Sequence, residues 1–135
     1  MAKREAWVHL RGRDVPLLPR RATTDFVRWY REAFPVAHFL IVHRTPAQVV
    51  QRPDGTRGFG VFSWPSRDPK GYDAAIWIYL ALGDLDSEQA VETVAHELAH
   101  YEQWRAGKAP SEPWAERRAS RLTRLYRRAV RSEGK

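Results

Sequence analysis

Two histidines and a glutamate in the segment His96-Glu97-Leu98-Ala99-His100 have the types and spacing for metal-assisted chemistry on water. On a helix, residues four apart lie one turn along the axis and about 40° around it. Both imidazoles can therefore reach one ion, and neutral imidazole is a common zinc ligand. Glu97 lies about 100° from His96, so its carboxylate can flank the ion without binding it and take a proton from water the ion has acidified. The competing reading is a pair of satisfied histidines with Glu97 in a surface ion pair. The metal reading is preferred because the pattern falls inside a well-capped helix, beside its apolar stripe.

A catalytic zinc site normally has three protein ligands and an open position. The chain has no cysteine, so the third ligand must be a carboxylate or another histidine. Glu102 lies two residues past His100, on the opposite side of the helix, and is set aside. Glu116 is better placed. The helix advances about 9 Å from His100 to Ala106, a short Gly/Pro loop then reverses the chain, and Glu116 sits about one turn into the returning helix. Glu112, at the mouth of that helix, is expected to lie farther away; His9, His38 and His43 are the remaining candidates. Without a metal, Glu116 would be an exposed carboxylate facing the positive end of its helix.

The elements that must position these groups are legible in outline. Residues 84–108 form the clearest helix. Asp86 with Gln89 fits a capping box, Val91, Val94, Ala95 and Leu98 make an apolar stripe, and Gly107 ends it. Residues 112–132 form a second long helix, with Pro113 in its first turn and Ala115, Ala119, Leu122, Tyr126 and Ala129 on its buried face. A shorter helix is expected over 23–34, capped by Thr24 or Asp25 and ended by Pro35. Residues 6–20 read as a short strand and a turn about Gly12. Three further strands are expected over 37–44, 56–64 and 74–82, the second after the turn residues Pro53-Asp54-Gly55 and the third after a loop. The last is apolar on both faces, so one side should meet the core and the other a cleft or a helix.

The segments His96–Trp104 and Trp114–Ser120, "HELAHYEQW" and "WAERRAS", resemble the gluzincin metallopeptidases, which pair H-E-x-x-H on one helix with a glutamate on the next. Small size and element order, over roughly residues 23–130, are similar to the compact minigluzincins. The resemblance implies an α+β fold: an N-terminal helix, a small sheet of three to four strands, then an active-site helix and a glutamate helix. It implies Zn2+ held by His96, His100 and Glu116, with Glu97 as the general base of an endopeptidase acting on a peptide or protein. It also implies that the strand over 74–82 lines the cleft as an edge to which a peptide adds, with Trp77 and Tyr79 shaping pockets. Many gluzincins carry an aspartate four residues after the ligand glutamate, orienting a ligand histidine; here that position is Ser120. Tyr101, Tyr126, Tyr79, His43 and the arginines of the last helix are the candidates to stabilise an oxyanion.

Composition bounds these readings. A chain of 135 residues with 43% hydrophobic residues suffices for one domain, residues 1–135, with a single core. No apolar run is long enough to span a bilayer and no secretory leader is recognised, so a cytoplasmic protein without membrane contact is expected. The net charge is +7, carried mostly by arginine. Arg117, Arg121, Arg124, Arg128 and Arg131 recur along one stripe of the last helix. They are read first as a solvated face, and second as a surface that could track nucleic-acid phosphates. Two alternative functions follow. One is a nucleic-acid-associated protein, resembling the SprT-like proteases if it also cleaves peptides; the other is a catalytically weak regulatory module on the same fold.

Overall fold

The structure, a computed structural model, describes residues 8–12, 14–36, 40–52, 55–63 and 76–133. The fold is α+β, as the sequence led us to expect. Strand β1 (Val8–Arg11) is followed by helix α1 (Leu17–Ala33), β2 (Leu40–Thr45), the short pair β3 (Val50–Gln51) and β4 (Arg57–Gly58), β5 (Gly60–Ser63) and β6 (Ile76–Ala81). Helices α2 (Ser87–Arg105) and α3 (Glu112–Glu133) complete the chain.

The main sheet runs β1-β2-β6-β5, with β1, β2 and β6 parallel and β5 antiparallel on the outside of β6. Parallel neighbours need a crossover, and α1 supplies the one between β1 and β2. Alternation along the strands turns Leu40 and Val42 of β2, and Ile78 and Leu80 of β6, towards the helices. There they meet Phe26, Val27 and Tyr30 of α1, Val94, Leu98 and Tyr101 of α2, and Leu122 of α3. Each such side chain contributes about 1.5–3 kcal/mol by leaving water. This stripe fixes the rotation of α2 about its own axis, and therefore where its histidines point.

Three expectations are corrected. Helix α1 begins at Leu17, so Thr24 and Asp25 lie mid-helix and not at a cap. Residues 17–20, expected to belong to a short strand and turn, are its first turn; Pro16 is the N-cap and Pro19 sits where a proline forgoes only an N–H that has no helical partner. Thr24 instead donates its hydroxyl to the Arg20 carbonyl at 2.9 Å. Second, β6 is no edge strand, since β2 and β5 flank it. Among the described residues, the strand beside α2 with an outer edge is β5. Third, Trp77 and Tyr79 stack on each other on the face away from the helices, with ring centroids 5.6 Å apart. Pro53, Asp54, the loop over 65–73 and His38 lie outside the described residues, as does the side chain of His9.

Candidate metal centre

The ends of α2 and the start of α3 bring the site together. Asp86 caps α2 as expected, accepting from Gln89 N at 2.8 Å while Gln89 Oε1 accepts from Asp86 N at 3.1 Å. At the other end Gly107 takes φ +72°, Gly107 N donates to Trp104 O, and Lys108 N donates to Gln103 O. This is the left-handed stop that glycine permits, and it sends the chain back along α2. Ser111 then caps α3, its Oγ accepting from Trp114 N at 3.4 Å.

His96 and His100 face this returning segment from the flank of the apolar stripe, their side chains 25% and 12% exposed. Their Nε2 atoms lie 3.2 Å apart. The carboxylate of Glu112 straddles them, with Oε2 at 2.9 Å from His96 Nε2 and Oε1 at 2.9 Å from His100 Nε2. These three residues form a group able to hold a metal ion.

The glutamate that the structure brings to the two histidines is Glu112; the expected Glu116 is exposed one turn further along and outside the group. The reason lies in the loop. Residues 108–111 carry no helix, and extended backbone covers about 3.3 Å per residue. Four such residues return more than the roughly 9 Å that α2 advanced beyond His100. The new helix thus starts already level with the histidines.

Hydrogen bonds decide what the group can hold. Gln103, buried at 4% exposure, donates Nε2–H to the Ser111 carbonyl at 3.2 Å. That fixes its amide so that Oε1 accepts from His100 Nδ1 at 2.9 Å. His100 then carries its proton on Nδ1 and presents a lone pair at Nε2, facing a carboxylate oxygen. His100 Nε2 and Glu112 Oε1, two acceptors turned towards each other at 2.9 Å, need a proton or a metal ion between them. A tetrahedral zinc ion with ligands at 2.0–2.2 Å would set neighbouring donor atoms roughly 3.3 Å apart. Two imidazoles and a carboxylate fit with a few tenths of an ångström of opening. Gln103 also ties His100 to the residue preceding Glu112, so one amide orients a histidine and anchors the turn.

Glu97 lies beside the group and is buried, at 4% exposure, with Oε2 lacking any hydrogen-bond partner. Burial raises its pKa to about 7, against the opposing pull of His100 and Arg52, with Glu112 adding to the rise. Gly60 of β5 lies directly against it. A Cβ there would stand 2.8 Å from Glu97 Cγ, so glycine is what lets the strand approach. Arg52, just after β3, donates Nε–H to the Gly60 carbonyl at 3.3 Å.

The remaining candidates divide plainly. Glu102, set aside on helical geometry, accepts from Tyr30 OH at 2.7 Å and from Arg118. Tyr101 is fully buried against Phe62 and Trp104, and Tyr126 packs on Phe26 and Trp29. Tyr79 is stacked on Trp77, and His43 lies beside it on the far face of the sheet. Ser120 is exposed, and the histidine-orienting group is Gln103. Sequence reasoning missed Gln103, although its place three residues after His100 puts both on one helix face. It missed Gly60, which needed the strand–helix contact. Comparison of the chain with models of known protein families, with curated proteins and with solved structures finds no match.

Proposed function

We infer that the protein is a zinc-dependent endopeptidase of the gluzincin kind, with His96, His100 and Glu112 as ligands and Glu97 as general base. One observation carries the reading: the Nε2 atoms of two imidazoles and a carboxylate converge, with His100 Nε2 left as an acceptor by Gln103, beside a buried carboxylate with no partner. Zinc there would supply Lewis-acid chemistry, polarising a carbonyl and acidifying water. Glu97 takes the proton from water with its free Oε2 and passes it to the leaving nitrogen. A pKa about 7 suits a group that must both accept and return a proton near neutrality. Gln103 keeps the His100 proton on Nδ1, so that Nε2 stays a ligand. An extended peptide adding along the outer edge of β5 would pass beside Glu97 at Gly60, with backbone pairing giving affinity.

The test is metal content and hydrolysis together. The wild-type protein binds about one zinc per chain and cleaves a broad peptide library, whereas Glu97→Gln retains zinc and loses cleavage. Stoichiometric zinc with no hydrolysis would leave a regulatory module; absence of tight metal binding would remove the reading altogether. A nucleic-acid partner has one observation in its favour. Arg117, Arg121, Arg124, Arg128 and Arg131 are all exposed and have no ion pair among the described residues. Duplex binding with a steep salt dependence would test it. No helix among the described residues is long and apolar enough to cross a membrane, and the location we propose is the cytoplasm.

A further inference from the structure

Arg44 is a cation in a place that penalises charge. It leaves β2 near its carboxyl end, turns to the helix side of the sheet and is 6% exposed. Its Nε donates to the Arg11 carbonyl at 3.1 Å, and Nη1 donates to the Arg20 carbonyl at 2.9 Å and the Thr24 hydroxyl at 2.7 Å. All these acceptors are neutral. Buried charges are ordinarily paired, yet Arg44 has no carboxylate partner among the described residues, and Nη2 makes no protein hydrogen bond there. Burial and the neighbouring Arg20 hold its pKa below the ordinary guanidinium value.

Arg44 lines an open groove of about 620 Å³ together with Arg20, Arg21, Thr24, Asp25 and Arg28 of α1. The spacing of these α1 residues puts them on one side of the helix. The first turn of that helix also borders the groove and adds the positive end of the helix dipole. The setting is the carboxyl end of a parallel strand where its crossover helix begins, where α/β sheets bind anionic ligands. Arg21, Arg28 and Arg44 bring three guanidinium groups to a groove lined by one carboxylate, Asp25. A monocarboxylate ligand would leave about half of that charge unbalanced; an anion with two phosphoryl groups would offset it.

We propose that this groove binds a small anion carrying two or more phosphoryl groups, anchored by Arg44 and closed over by Arg21 and Arg28. The volume is in the range of small-molecule sites, roughly 300–1,000 Å³. The cations converge on one groove, unlike the arginines of α3, which run in a line as a polymer surface would. The site shares no residue with His96, Glu97, His100 or Glu112, so it stands independently of the peptidase reading.

The experiment is calorimetric titration of the full chain with inorganic pyrophosphate at fixed ionic strength. Saturable binding is expected, weakened at least tenfold in the double variant Arg21→Ser/Arg28→Ser and changed less than twofold in Arg121→Ser/Arg124→Ser, which removes the same charge from α3. Arg44→Gln should abolish binding; if that variant does not fold, the Arg21/Arg28 pair still decides. Absence of saturation, or equal weakening by both pairs, would overturn the proposal, reducing the effect to general attraction to a basic chain. Binding lost in His100→Ala but kept in Arg21→Ser/Arg28→Ser would also overturn it, by moving the anion to the metal group. Pyrophosphate binding lost in Arg121→Ser/Arg124→Ser but kept in Arg21→Ser/Arg28→Ser would overturn it in favour of a polymer surface on α3.

Discussion

Two glutamates five residues apart on α2 occupy opposite conditions. Glu102 is saturated: it accepts from Tyr30 OH at 2.7 Å, and from Arg118 Nε at 2.8 Å and Nη2 at 3.3 Å. The arrangement joins α1, α2 and α3, and burial with the adjacent carboxylate pushes the Tyr30 hydroxyl pKa up. Glu97 is more deeply buried and has an oxygen with no partner. A buried polar group left unsatisfied costs about 1–3 kcal/mol, more if charged. One carboxylate holds three helices together; the other is kept at a cost to stability, which is the expected condition of a group held ready for proton transfer.

That contrast is sharpest in activity. Glu97→Gln should lower hydrolysis by about 10²–10⁴-fold, the usual contribution of a general base, with metal content unchanged. Glu102→Gln should instead lower the melting temperature and leave turnover per folded molecule alone. Equal loss of activity from both would erase the distinction. Next in size is metal affinity. Glu112→Ala should weaken zinc binding by about 10²-fold or more, judged by competition with a chromophoric chelator. Glu116→Ala should leave it unchanged, and the reverse result would restore the glutamate first expected.

The third test is the pH dependence of the metal-free protein. Glu97 has its pKa raised from 4.5 to about 7, so the folded chain holds that proton more tightly than the unfolded one. Its stabilising contribution is complete below about pH 4.5 and lost as the pH rises through about 7. The loss is on the order of 2–3 kcal/mol. Denaturant midpoints at pH 5 and pH 8 should differ more in wild type than in Glu97→Gln; identical differences would mean that the carboxylate is not buried in solution. Gln103→Leu should reduce metal affinity by about 10–100-fold through misorientation of His100. The smallest effect belongs to the saturated cluster: Tyr30→Phe should cost about 1–1.5 kcal/mol in stability with no change in metal content.

Much of the frame could be read in advance because local rules dominate it. The capping box at Asp86, the stop at Gly107 and the buried face of α3 rest on contacts within a few residues. The start of α1 was not legible, because Pro16 and Pro19 are compatible both with a turn and with a helix start. The place of β6 in the sheet could not be read at all, since only pairing with both β2 and β5 makes it an inner strand.

For the site, the sequence by itself determined the pair of imidazoles and the carboxylate beside them, because helical periodicity alone places residues 96, 97 and 100. It also limited any third ligand to histidine or carboxylate, through the lack of cysteine. Only the tertiary structure decided which glutamate answers them. The choice between Glu112 and Glu116 depends on how far an irregular loop carries the chain back, and loop path has no period to read. Tertiary structure alone likewise presses Gly60 onto Glu97 and leaves one carboxylate oxygen without a partner. Burial comes from elements distant in the chain, and no local pattern records it.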